Sequence, residues 1–250
     1  MKNESSLYYF VSDIHLGLAA FDPSERERKF VKFLRELPAQ TKALYLIGDI
    51  FDFWFEYKYV VPRGFSRVLG ALSNLSDRGV KIFFFKGNHD MWTFGYLENE
   101  IGLKLLQDPT VVDIDGKKFC LAHGDELTSI EPTHLLLKKL FHSKTLQFLL
   151  GTVHPRWTFA FAKCWSKSNR LSKGEVFKFR GEGEPLYQYA CDFERREMVD
   201  YFVFGHFHTP GEIKTPQGAG FYVLGEWIHG CEYLCYDSTT DCMKWLSGKD

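Results

Sequence analysis

Leu7-Tyr8-Tyr9-Phe10-Val11-Ser12-Asp13-Ile14-His15 is the stretch on which the reading of the whole chain turns. Leu7–Val11 is an apolar run, rich in aromatic residues, of the length of a buried strand. It stops abruptly at a carboxylate and an imidazole. The same arrangement recurs four times: residues 43–47 before Gly48-Asp49, 80–85 before Gly87-Asn88-His89-Asp90, 118–121 before His123-Gly124-Asp125, and Tyr201–Phe204 before Gly205-His206-Phe207-His208. Residues 220–224 and 232–236 read as closing strands.

Between the first three runs lie helical periodicities. Residues 26–37 place Phe30, Phe33, Leu34 and Leu37 on one face, and residues 65–75 do the same with Val68, Leu69, Leu72 and Leu75. Strand–helix alternation predicts an α/β core around a largely buried sheet. In such sheets the functional loops gather at the carboxyl ends of the strands, where all five polar clusters fall.

The chain has 250 residues, enough for one sizeable domain over 1–250. Apolar residues make up 45% and charged residues 25%, as in an ordinary folded protein. A formal net charge of -1 argues against a generally basic nucleic-acid binder. Six cysteines without a C-x-x-C pair read as reduced, packed thiols. The start of the chain lacks the apolar core of a signal peptide, and no run is long enough to cross a bilayer. The expectation is a cytoplasmic protein, free to sit on a membrane surface.

Approximately residues 126–191 break the pattern and read as a helical cap insertion. From 134 to 180 there are ten Lys or Arg and one acid, Glu175, so the rest of the chain is net acidic. The same stretch carries Leu135, Leu140, Phe141, Phe148, Trp157, Phe159, Phe161 and Trp165. A basic, apolar surface suits a ligand with phosphates and hydrocarbon, or the anionic face of a membrane.

Asp13 and His15, one residue apart on an extended strand end, would point the same way, and His206 and His208 repeat that spacing. Asp49 follows a glycine that permits a sharp turn and has two oxygens with which to bridge two ions. Asn88 offers a neutral oxygen and His123 a further imidazole. Seven mixed O and N donors exceed one tetrahedral zinc and suit two divalent ions. The lack of thiolates favours Mn²⁺, with Fe or Zn as alternatives.

Asp-x-His, Gly-Asp-x-x-Asp, Gly-Asn-His-Asp, His-Gly-Asp and Gly-His-x-His, in this order from Asp13 to His208, resemble the calcineurin-like metallophosphoesterase superfamily. The resemblance implies two stacked β-sheets flanked by helices, with the ligand loops at one edge. It implies one metal on Asp13, His15, Asp49 and His208, and another on Asp49, Asn88, His123 and His206. His89 would stabilise charge or protonate the leaving oxygen, and Asp52 would orient it.

Length, motif spacing and the place of the insertion resemble one branch, the UDP-2,3-diacylglucosamine pyrophosphatases of lipid A synthesis. The residues that carry this are 48–54 (GDIFDFW), 154–157 (HPRW), 165–170 (WSKSNR) and 225–227 (GEW). His89 stands where several members of that branch carry Arg. The branch implies a UDP-linked acylated glucosamine as substrate, attack at the α-phosphorus, release of UMP, and the cytoplasmic face of the inner membrane as the place of work. No nucleic-acid or obligate protein partner is expected. Arg156, Arg170 and Lys173 are candidates for diphosphate contacts, since Arg matches phosphate through its planar fork. Asn88, Trp54 and Phe141 are further candidates for substrate contact.

Competing readings keep the fold and change the task. A general phosphodiesterase or nucleotide phosphatase would waste the apolar cap, and the acidic remainder would repel a polyanion. A dead scaffold predicts lost ligands, yet every position is filled. A membrane-surface lipid-binding protein leaves the seven-donor set unexplained.

Overall fold

The computed structural model describes residues 5–128, 139–172 and 178–248, without the side chains of 163 and 165–172. Two sheets stack. The first has the order β11-β10-β1-β2-β3-β4 and the second β5-β6-β7-β9-β8. The first contains β1 (Leu7–Val11), β2 (Thr41–Ile47), β3 (Lys81–Phe85), β4 (Leu103–Leu106), β10 (Glu232–Asp237) and β11 (Cys242–Ser247). The second contains β5 (Thr110–Ile114), β6 (Lys117–Ala122), β7 (Tyr201–Phe204), β8 (Gly211–Lys214) and β9 (Gly220–Val223). This is the expected α/β sandwich of two sheets flanked by helices.

Strand alternation sorts the side chains into layers. Phe10, Tyr45, Ile47 and Phe85 face inward and meet Phe119, Leu121 and Val203 of the second sheet. Tyr9, Val11, Leu44, Leu46 and Phe84 face outward and are covered by α1 (Pro23–Glu36) and α2 (Ser66–Asp77). Phe202, Phe204 and Phe221 on the far side are covered by the helix Pro185–Glu194 through Leu186, Tyr187 and Ala190. That helix starts inside the stretch read as insertion and packs under the second sheet. Each buried Phe contributes on the order of 1.5–3 kcal/mol relative to exposure.

β1, β2, β3 and β4 run parallel, as do β6, β7 and β9. Their carboxyl ends therefore fall on common edges, and the polar clusters are brought together there. The strand runs read from the sequence appear within two residues of their observed bounds. Four strands, β4, β5, β8 and β11, had no counterpart in that reading.

Candidate metal centre

The chain leaves β1 and β2 through sharp turns. Asp13, His15 and Asp49 have φ of 53°, 50° and 53°, and His206 and His208 have 72° and 58°. These five lie in the left-handed region, at a cost of about 1 kcal/mol each. The expectation that Asp13 and His15 share a side because their strand is extended is thus corrected. The backbone turns at each donor, and that turn aims it. Strain of this kind at five residues of one cluster marks a site held in shape by its surroundings.

Four donors converge. Asp13, His15, Asp49 and His208 each place one ligand atom within 4.8 Å of the others. His208 Nε2 is 3.2 Å from Asp13 Oδ1, and His15 Nε2 is 3.9 Å from Asp49 Oδ2. Beside them His123 Nε2 lies 3.5 Å from the same Asp49 Oδ2. The rings of His123 and His206 are 5.2 Å apart. His123 Nδ1–H donates to the Ile47 carbonyl at 3.0 Å, which turns the lone pair of Nε2 toward Asp49.

The fit to metal ions can be judged from the donors themselves. Asn88 Oδ1, His123 Nε2 and His206 Nδ1 are buried and have no hydrogen-bond partner. Buried polar atoms are ordinarily paired, so three unpaired atoms on these donor residues are what a cation would satisfy. Glycines keep the space open. A Cβ on Gly87 would stand 2.2 Å from Asp49 Oδ1, and one on Gly48 would stand 2.4 Å from His123 Nδ1. The donors suit divalent ions in number, hardness and placement.

The electrostatics agree. Burial alone would raise Asp13, but His208 and then His123 outweigh it and hold the carboxyl down to about 2. Asp49 is likewise held well below its usual range against burial, by His89 and His123. Burial lowers His15 to about 4 and His206 to about 3. Against burial, Asp49 pulls His123 upward and Asp13 pulls His208 upward. Negative charge supplied by the fold thus acts directly on the two imidazoles His123 and His208.

Two carboxylates that the sequence reading passed over hold the loops. Asp90 accepts from the N–H groups of Gly87 and Ile50 at 2.8 Å, Phe51 at 3.2 Å and Asp49 at 3.3 Å. It locks the β3 loop to the β2 loop. Burial, then Asp49, raises its pKa to about 7. Its signal was in plain view, an Asp closing the Gly-Asn-His-Asp turn, where Asp side chains bond nearby backbone. Asp108 accepts from His123 N at 2.7 Å and Gly124 N at 3.2 Å. Nothing local to Asp108 announces that contact.

His89 lies beside His15, with ring centroids 4.9 Å apart. Its Nδ1 lies 2.9 Å from the backbone carbonyl of Asp52 and 3.8 Å from the Asp52 carboxylate, so the closer contact of Asp52 to the ring is through its main chain. The carboxylate is nearer to His15 Nδ1, at 3.6 Å.

Of the expected substrate contacts, Trp54 is corrected. It is fully buried against Phe51, Phe65 and Tyr96, with its indole N–H on Glu56, and lines no surface. Its neighbour Phe53 faces the other way and meets Phe159 at 5.0 Å. Phe141 is half-buried, its ring edge-on to Trp92 at 5.6 Å and its carbonyl bonded by Trp92 Nε1. Phe53, Trp92, Phe141 and Phe159 form an aromatic seam between the metal loops and the inserted helices. Arg156 is exposed in the first turn of the helix Pro155–Ser172. The Arg170 side chain and Lys173 lie outside the described residues.

A two-sheet fold with five donor-bearing loops on one edge is the architecture of a metallophosphoesterase, and a family model for the calcineurin-like phosphoesterases matches residues 7–210. The chain belongs to that family. A UDP-2,3-diacylglucosamine hydrolase of Porphyromonas gingivalis is 39% identical, the match covering 94% of this chain and 95% of that protein. The same-named protein of Neisseria meningitidis serogroup B is 31% identical over 88% of this chain and 89% of its own. That of Stenotrophomonas maltophilia is 30% identical over 92% and 94%.

Proposed function

We propose that the protein hydrolyses the pyrophosphate bond of UDP-2,3-diacylglucosamine, releasing UMP and 2,3-diacylglucosamine 1-phosphate (lipid X) in lipid A synthesis. The observation that carries this reading is likeness along nearly the whole chain, 94% of it at 39% identity to a hydrolase of that name. That likeness runs through the inserted segment as well as the metal loops.

Asp13, His15, Asp49 and His208 would hold one ion, and Asp49, Asn88, His123 and His206 the other. Two bound divalent ions would supply a hydroxide at neutral pH and neutralise charge on the phosphate oxygens. Mn²⁺ suits this thiolate-free donor set, with Fe or Zn as alternatives. The protein's own part is positional. Asp90 and Asp108 hold the loops, and the Asp52 carbonyl fixes the tautomer and tilt of His89. With Nδ1–H committed to that carbonyl, Nε2 of His89 is left to meet a phosphate oxygen or the departing one. Attack at the α-phosphorus breaks its bond to the bridging oxygen, which leaves on the β-phosphate.

The insertion read over approximately 126–191, apart from the helix Pro185–Glu194 that covers the second sheet, would act as a cap over the acyl chains, with Phe141 in the aromatic seam and Arg156, Arg170 and Lys173 as candidate diphosphate contacts. Phe148, Leu149, Trp157 and Phe161 of the inserted helices are exposed. No described helix is long and apolar enough to cross a membrane. An exposed apolar face amid basic residues supports attachment to the cytoplasmic surface of the inner membrane.

The test is direct. Protein loaded with Mn²⁺ is incubated with UDP-2,3-diacylglucosamine and the products are read by mass spectrometry. UMP and the acylated sugar 1-phosphate are expected. Hydrolysis of a generic diester with no UMP would leave the phosphoesterase class and remove the glycolipid.

A further inference from the structure

The aromatic seam accounts for one neighbour of the metal centre, the His89 side. The other neighbour is His208, whose ring lies 5.0 Å from that of His15. There the loop after β9 comes close to the donors. Trp227 N–H donates to the Asp13 carbonyl at 3.1 Å, and Glu226 is among the charges that pull His208 upward.

Glu226 is nearly buried and has one evident task. Its carboxylate accepts from the backbone N–H groups of Ile228 and His229 and from the His229 ring, Nδ1 lying 2.8 Å away. Nδ1–H is thereby committed, and Nε2 is left on a side chain 64% exposed. The His229 ring stands edge-to-face with Phe21, centroids 4.3 Å apart.

Phe21 is itself 66% exposed and has a φ of 53°. A bulky side chain in the left-handed region is a genuine outlier. The loop around it is fixed. Buried Arg26 holds the Leu18 carbonyl at 2.7 Å and the Ala20 carbonyl at 3.5 Å. Asp22 caps α1 by accepting from Ser24 N and Glu25 N. An aromatic face is thus held out to solvent between two anchored residues, beside an imidazole whose direction a buried carboxylate sets.

We infer that Phe21 and His229 form the subsite for the nucleoside monophosphate portion of the substrate. The base stacks on Phe21, and His229 Nε2 meets the ribose. The chemistry divides the substrate between the two sides. The seam of Phe53, Trp92, Phe141 and Phe159 is apolar and packed under the inserted helices, which suits acyl chains. The Phe21 ring is open to solvent and has the polar edge of His229 set against it, which suits a nucleobase. This assignment rests on the nucleotide pyrophosphatase reading above.

The experiment compares two probes, UMP and inorganic phosphate, titrated calorimetrically into the Mn²⁺-loaded protein. Wild type is expected to bind UMP more tightly than phosphate. F21A should lose about ten-fold in UMP affinity, the scale of one base–aromatic stack, and H229A should lose several-fold. F21W should keep the affinity, and phosphate binding should be alike in all four proteins. No preference for UMP in wild type, unchanged UMP affinity in F21A and H229A, or equal losses for both probes would each overturn the subsite. A wild-type protein that prefers UMP but fails to cleave the glycolipid would support the subsite and overturn the lipid reading alone.

Discussion

His123 Nε2 stands 3.5 Å from Asp49 Oδ2, while Asp49 Oδ2 is also 3.9 Å from His15 Nε2. One carboxylate thus stands between two histidines that come from different sheets. Asp49→Asn keeps the shape and removes the charge. It should lower metal content below two ions per chain by elemental analysis and cut kcat/KM by more than about 100-fold, beyond the range of a supporting contact.

Metal binding should release protons. His123 and His208 are pulled upward in the metal-free protein, whereas His15 and His206 are pushed down to about 4 and 3 and are already neutral near pH 7. A raised imidazole stabilises the metal-free fold below its unfolded value of about 6.5, and that contribution is lost as pH rises through the folded value. A metal ion takes the place of these protons. Calorimetric titration of Mn²⁺ in two buffers of different ionisation enthalpy should show net proton release, and affinity should rise with pH. Proton-neutral binding would contradict the assignment of these two histidines.

Asp90 carries no metal in this account, yet it should matter nearly as much. Asp90→Ala strands four N–H groups between the β2 and β3 loops. Each unpaired buried group costs on the order of 1–3 kcal/mol, so a clear fall in Tm is expected. Metal affinity should fall about 10- to 100-fold with it. A variant with normal Tm and metal content would show that Asp90 is dispensable.

Phe148, Trp157 and Phe161 stand exposed on the inserted helices. Replacing all three by Ser should lower co-sedimentation with vesicles containing phosphatidylglycerol by at least about ten-fold, given roughly 1.5–3 kcal/mol for each large apolar side chain buried. Retained vesicle binding would place the membrane contact elsewhere.

The parts legible in the sequence were those encoded by a local pattern. β1, β2, β3, β6 and β7 are apolar runs ending in donors, and their parallel pairing brings the donors to one edge. β11, with the sequence CMKWLS, is a half-exposed edge strand whose apolar residues are interrupted by Lys244 and end in no donor. The left-handed turns at Asp13, His15 and Asp49 were hidden because Asp and His adopt several backbone regions without a sequence mark. Trp54 and Phe53 show a further limit. Adjacent residues face opposite ways, so the larger ring went to the core and the smaller one to the seam. Asp108 reaches His123 from another loop, a contact only the tertiary fold creates.

The fate of the water oxygen shows which phosphorus is attacked. The Mn²⁺-loaded protein should be given UDP-2,3-diacylglucosamine in ¹⁸O-labelled water, and both products should be weighed by mass spectrometry. The account predicts one ¹⁸O atom in UMP and none in the acylated sugar 1-phosphate. Label in the sugar phosphate would contradict attack at the α-phosphorus, and no UMP at all would contradict the substrate.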